Sequence, residues 1–192
     1  MTFDELDNVM KRAIDRSQTN YADTMVKIGN DALAMIKRRV QEDGLDAQGK
    51  KFTPYSTADM LVGCKSMNSN VCRSYFGKKN NRDHKWVTIQ RGGKNYPLAV
   101  LDGGYKKLRE MHGRQTNHVD FTFTGAMWGG ISIISSSAEH SSGIVRIGGL
   151  IDEVKQVLRG NVEKRGPILE LNNEELRTLA GIYKNKVKQF FI

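Results

Sequence analysis

Two parts of this chain set apolar runs on either side of a short break, and that pairing constrains the fold more than any other feature. Trp86 to Ile89 suits a strand, Gly92-Gly93 supplies the positive φ angles of a tight turn, and Tyr96 to Leu101 suits the return strand. Ile131 and Ile133 begin a second pair, which comes back through Val145 and Ile147 after a polar tip from Ala138 to Gly143 that is expected to project, the serines from Ser135 to Ser142 being read as part of that loop. Hairpins join antiparallel neighbours, whereas parallel strands need a long crossover, usually a helix. An antiparallel sheet built from hairpins is therefore expected.

Helical patterns bracket that sheet. Phe3, Leu6, Met10 and Ile14 recur at spacings of three and four, as do Ala22, Met25, Gly29, Ala32, Ile36 and Val40, and no proline occurs before Pro54. Thr2 and Glu5 have capping-box spacing, and the polar run from Arg16 to Asn20 implies one long helix with a break, or two. Lys37-Arg38-Arg39 is expected to complement the dipole at the helix end, with Gly44 as the stop. From Asp43 to Ser56 the chain is turn-rich, with Pro54 holding Thr53 out of the helical basin and Phe52 and Tyr55 as apolar anchors. A short helix is expected from Lys106 to Met111.

The strict alternation of Val119, Phe121 and Phe123 with Asp120, Thr122 and Thr124 predicts a half-buried strand. Leu150 to Leu158 has helical spacing, with Gly160-Asn161 as its end. Pro167, Ile168 and Leu169 are too few and too proline-marked for an interior strand, so they are expected as an extended edge or docking strap, and are the candidate inter-subunit residues. Asn172 with Glu175 caps a C-terminal amphipathic helix whose stripe is Leu176, Leu179, Tyr183, Val187 and Phe190. The expected class is α+β, in one domain over residues 1–192 with a basic surface insertion at about 57–95.

Charge is unevenly placed. The net charge is +9, and between Lys65 and Lys94 eight basic residues face one acid, Asp83. Within that segment Lys78, Lys79, Arg82 and Lys85 are the candidate partner-facing or DNA-facing residues, with Tyr75, Phe76 and Trp86 interleaved. A solvated loop explains the same run without a ligand. No apolar run approaches the ~20 residues that span a bilayer, and the acidic, amphipathic start does not resemble a secretory signal.

Chemistry finds little to build on. Cys64 and Cys72 have neither zinc-pair nor redox spacing, and His84, His112, His118 and His140 do not pair at ligand spacing, so no metal or cofactor is expected. Glu174-Glu175 and Asp152-Glu153 are adjacent acids at helix starts, where carboxylates favour the dipole. The serines around His140 lack a nucleophile elbow, and Arg91-Gly-Gly-Lys94 lacks the P-loop pattern. The expectation is a protein without enzymatic activity.

Four blocks carry a resemblance: Gly49 to Ser56, Gly104 to Arg114, Thr124-Gly-Ala-Met127 with its Ile-rich strand, and Arg165-Gly-Pro-Ile-Leu169 with Asn172-Asn-Glu-Glu175. Together they resemble the virion morphogenesis and tail-completion proteins of tailed bacteriophages, over about half the chain. The resemblance implies a virion component of the neck or tail end, a homo-oligomeric ring at the head-to-tail joint that meets portal, connector or tail proteins. Genomic DNA passing through the ring is a further implied partner, and the host cytoplasm the place of assembly. The basic, Asn-rich composition also suits a ring protein of the short tail of crAss-like gut phages, a likeness with no motif behind it. The alternative from the residues themselves is a basic nucleic-acid-binding module.

Overall fold

The computed structural model describes residues 22–63, 86–139 and 142–188. The Thr2–Glu5 capping box, the polar break at 16–20, both cysteines, His84, His140 and Phe190 lie outside the described residues. The chain is α+β, with helices towards both ends and antiparallel sheets between them. It divides into two compact units, Met1–Phe52 with Asp120–Ile192 and, between them in sequence, Thr53–Val119. The stretch expected as an insertion, about 57–95, falls wholly within the second unit.

In the first unit, helix α1 (22–38) runs into a π-helical turn, Arg39–Asp43, and stops at Gly44 with φ 67°. Of the expected stripe Met25, Ala32, Ile36 and Val40 are buried and Ala22 is half-buried, and Leu33 joins the buried face. Gly29 holds its place in the stripe without a side chain because the chain around Ile133 and Val145 comes too close for one. A Cβ there would lie 2.6 Å from Val145 Cγ1 and 2.9 Å from Ile133 Cδ1. Beyond Gly44 the chain doubles back, Phe52 N donating to Gly44 O, and Phe52 is buried against the Phe121 ring, edge to face at 4.9 Å.

The second unit holds strands β1 (Met60–Val62), β2 (Trp86–Arg91) and β3 (Lys94–Leu101), in sheet order β1-β3-β2, followed by helix α2 (Gly104–Met111). Gly92 and Gly93, at φ 56° and 72°, make the two-residue turn that fixes the register from Arg91↔Lys94 to Trp86↔Ala99. One face of the sheet is core: Val62, Ala99 and Leu101 are buried, and Met60, Trp86, Leu108 and Met111 pack on them.

The remaining elements return to the first unit: helix α3 (Ala126–Gly129), hairpin β4 (Ile131–Glu139) and β5 (Ser142–Gly149), and helices α4 (Asp152–Arg165) and α5 (Asn173–Lys188). Here three expectations need correction. Residues 119–123 form no strand, because Asp120 Oδ1 accepts from Thr122 N and Phe121 takes φ 53°, which turns the backbone out of the extended basin. Asp120 O then accepts from the buried Trp128 indole at 3.0 Å. The serine-rich tip does not project as a long loop, since pairing continues to Glu139↔Ser142 and leaves a connection of two residues. Helix α4 passes through Gly160-Asn161 to Arg165 and ends at Gly166 with φ 87°. Asn161 Nδ2 donates to Val157 O inside it.

Candidate functional site

Strand pleating sorts the β1-β3-β2 sheet into two faces. Met60, Val62, Trp86, Ala99 and Leu101 face the α2 side, so their neighbours Leu61, Val87, Ile89, Tyr96, Leu98 and Val100 lie on the other. That second face is open: Leu61 is 46% exposed, Val87 41%, Ile89 37% and Tyr96 39%. At this exposure each side chain forgoes under half of the roughly 1.5–3 kcal/mol that full burial gives over full exposure. At the turn the face ends on Arg91 and Lys94, both exposed. Around them the surface is dished, a concavity of about 600 Å³ lined by Ile89, Arg91, Gly92, Lys94, Tyr96 and Leu98.

The first unit also exposes large apolar groups, among them Ile134 and Ile144 on the hairpin, Leu150 and Ile151 ahead of α4, and Leu176 on α5. Ile134 sits at a bulge between Ile133 and Ser135, where the register of β4 on β5 shifts.

Of the residues singled out from the sequence, Lys78, Lys79, Arg82 and Lys85 lie outside the described residues. Arg91 and Lys94 are the described members of that basic run. Pro167, Ile168 and Leu169 form an irregular connection between α4 and α5, in no strand. Ile168 is 0% exposed, so its side chain belongs to the core of its own chain and is not free to meet a neighbour. Pro167 and Leu169 are half-buried.

Glu175 is the helix-start acid expected, and more. Its Oε2 accepts from Asn172 N at 2.8 Å while Asn172 Oδ1 accepts from Glu175 N at 2.7 Å, a reciprocal capping box. Its Oε1 also receives Arg39 Nε at 2.9 Å, with both side chains buried. Arg39 therefore does not serve a solvated helix end. Its other nitrogens donate to Leu45 O at 3.1 Å and Glu170 O at 2.6 Å, so one guanidinium ties the end of α1 to the start of α5. Asp152 and Glu153 stand in the first turn of α4, as expected.

In the second unit Arg109 is 1% exposed, its Cζ 4.4 Å from the centre of the Tyr55 ring and its Nε donating to Gln115 O at 3.0 Å. Neither buried arginine was identifiable from the sequence. The open sheet face did leave a signal: Tyr96 to Leu101 is apolar at both parities apart from Pro97, as in a strand covered on both sides.

Among the described residues there is no cluster of three His, Cys, Asp or Glu side chains able to hold a metal, and no helix long and apolar enough to cross a membrane. Comparison with protein-family models, curated proteins and solved structures finds no match.

Proposed function

We propose that the chain is a structural component of a tailed-phage virion, a homo-oligomeric ring protein of the neck or tail that completes or joins the tail. The observation that carries this reading is apolar exposure on both compact units, Leu61, Val87 and Ile89 on one and Ile134, Ile144 and Ile151 on the other. Exposed apolar patches beyond scattered single residues mark assembly surfaces. The four phage-like sequence blocks add support, since two of them form local structures with defined roles. Gly49 to Ser56 closes the turn after α1 and places Phe52 and Tyr55 in the interior, and Arg165 to Glu175 supplies the strap and capping box before α5. Light scattering on the purified chain, alone and with isolated neck components, tests the proposal. Association with itself or with those components is expected, and a monomer that binds none of them contradicts it.

A second reading, a nucleic-acid-binding module, is favoured by Arg91 and Lys94 standing exposed beside the Tyr96 ring at one end of an open sheet. It requires a mobility shift of DNA at low salt and an affinity that falls steeply with added salt, with a slope set by the phosphates neutralised. Failure to shift DNA at low salt removes it.

A further inference from the structure

We infer that the open face of the β1-β3-β2 sheet takes the same face of a second copy, turned end for end about a two-fold axis. The inference rests on the homo-oligomer reading but not on the virion, and its argument is the distribution of charge along the face. At the turn stand the cations Arg91 and Lys94. At the far end, just outside the Met60–Leu101 pair that closes the sheet, stand the exposed acids Asp59, directly before β1, and Asp102, in the turn directly after β3. Asp59 Oδ1 accepts one bond, from Gly103 N at 3.3 Å. Among the described residues, the positions of this face between these ends are Leu61, Val87, Ile89, Tyr96, Leu98 and Val100.

Lys94 and Leu101 bound β3, about 23 Å apart at the rise of an extended strand, with Asp102 next in the chain. A uniformly acidic partner would be repelled at Asp59 and Asp102, and a uniformly basic one at Arg91 and Lys94. An identical face turned end for end sets cations over acids at both ends and apolar side chains over apolar side chains in the middle. Two sheets so stacked lie about 10 Å apart with their strands nearly aligned, the geometry of a β-sandwich core. A contact in which each copy offers the same patch closes on itself as a pair, so the heterologous contacts of a ring would fall to other exposed groups, such as Ile134, Ile144 and Ile151 of the first unit.

The test is sedimentation equilibrium of the full chain with two charge-reversal variants, Arg91→Glu with Lys94→Glu, and Asp59→Lys with Asp102→Lys. The first makes the face acidic at both ends and the second basic at both. Each should self-associate at least about tenfold more weakly than the parent, and mixing them should restore a one-to-one complex. Circular dichroism on each variant checks folding, and Tyr96→Glu, which leaves the end charges intact, should also yield monomers. A photo-crosslinker at position 96 reports the occupant directly, as residues of the same face on a second copy. The inference is overturned by a monomeric parent, by self-association that the substitutions leave unchanged, by variants that do not recombine, or by crosslinks to residues 1–21 or 64–85 of the same chain. A monomer that still binds neck components would overturn this inference and leave the virion reading standing.

Discussion

Each of the two units buries an arginine, and the two are held in different ways. Arg39 meets a buried carboxylate 136 positions away in sequence and two backbone carbonyls, so it fastens two distant parts of the chain. Arg109 sits on the Tyr55 ring and binds Gln115 O six residues on, gathering the loops around a short helix. The same contrast runs through the surfaces. The first unit has α1 lying on its hairpin, close enough that position 29 admits no side chain, whereas the second covers one face of its sheet with α2 and leaves the other open. A buried ion pair and its carbonyl partners tie the first unit together, while the second leaves one apolar sheet face exposed.

The sharpest way to break that comparison is Arg39→Ala, which strands Glu175 in the interior. A loss of about 3–5 kcal/mol is expected in urea unfolding of the full chain. Replacing both partners, Arg39→Met with Glu175→Gln, should recover part of that loss, because the uncompensated charge is gone; no recovery would mean that the pair contributes nothing beyond packing. Arg109→Ala should follow at about 2–3 kcal/mol, through lost packing on Tyr55 and the lost hydrogen bond to Gln115 O. Thermal melts followed at tryptophan emission would register it. Asn172→Ala removes one half of the capping box and should lower stability by about 1 kcal/mol. Smallest of all, Tyr96→Glu on the open face should move folding stability by less than about 0.5 kcal/mol while changing association. A large loss of stability there would mean that Tyr96 is part of the core after all.

What could be read from the sequence was what local chemistry decides. Gly92-Gly93 announced its hairpin, Asn172 and Glu175 their cap, and the stripe from Met25 to Val40 its buried face, since each signal lies within a few residues of its effect. The alternation at 119–123 misled because a side-chain bond outcompeted it: the Asp120 carboxylate captured Thr122 N, and a positive φ at Phe121 turned the chain. The serines from 135 to 137 looked like loop composition, yet they pair with Arg146, Val145 and Ile144 on β5, whose register is set by the partner strand. Gly160 looked like a stop, but glycine inside a helix costs only about 1 kcal/mol, and α4 continued through it. Arg39 was read as a cation complementing the dipole at the helix end because nothing local to it names Glu175. The open sheet face was half legible, in a strand apolar at both parities whose second cover could not be located from sequence.

The central claim, that copies of this chain assemble as a structural part of a virion, is tested most directly by electron cryomicroscopy of the intact particle that carries it. The expected result is density for the two units, repeated around the axis as a closed ring at the neck or tail. Density for the chain away from the neck and tail, or as single copies with no ring symmetry, would contradict it.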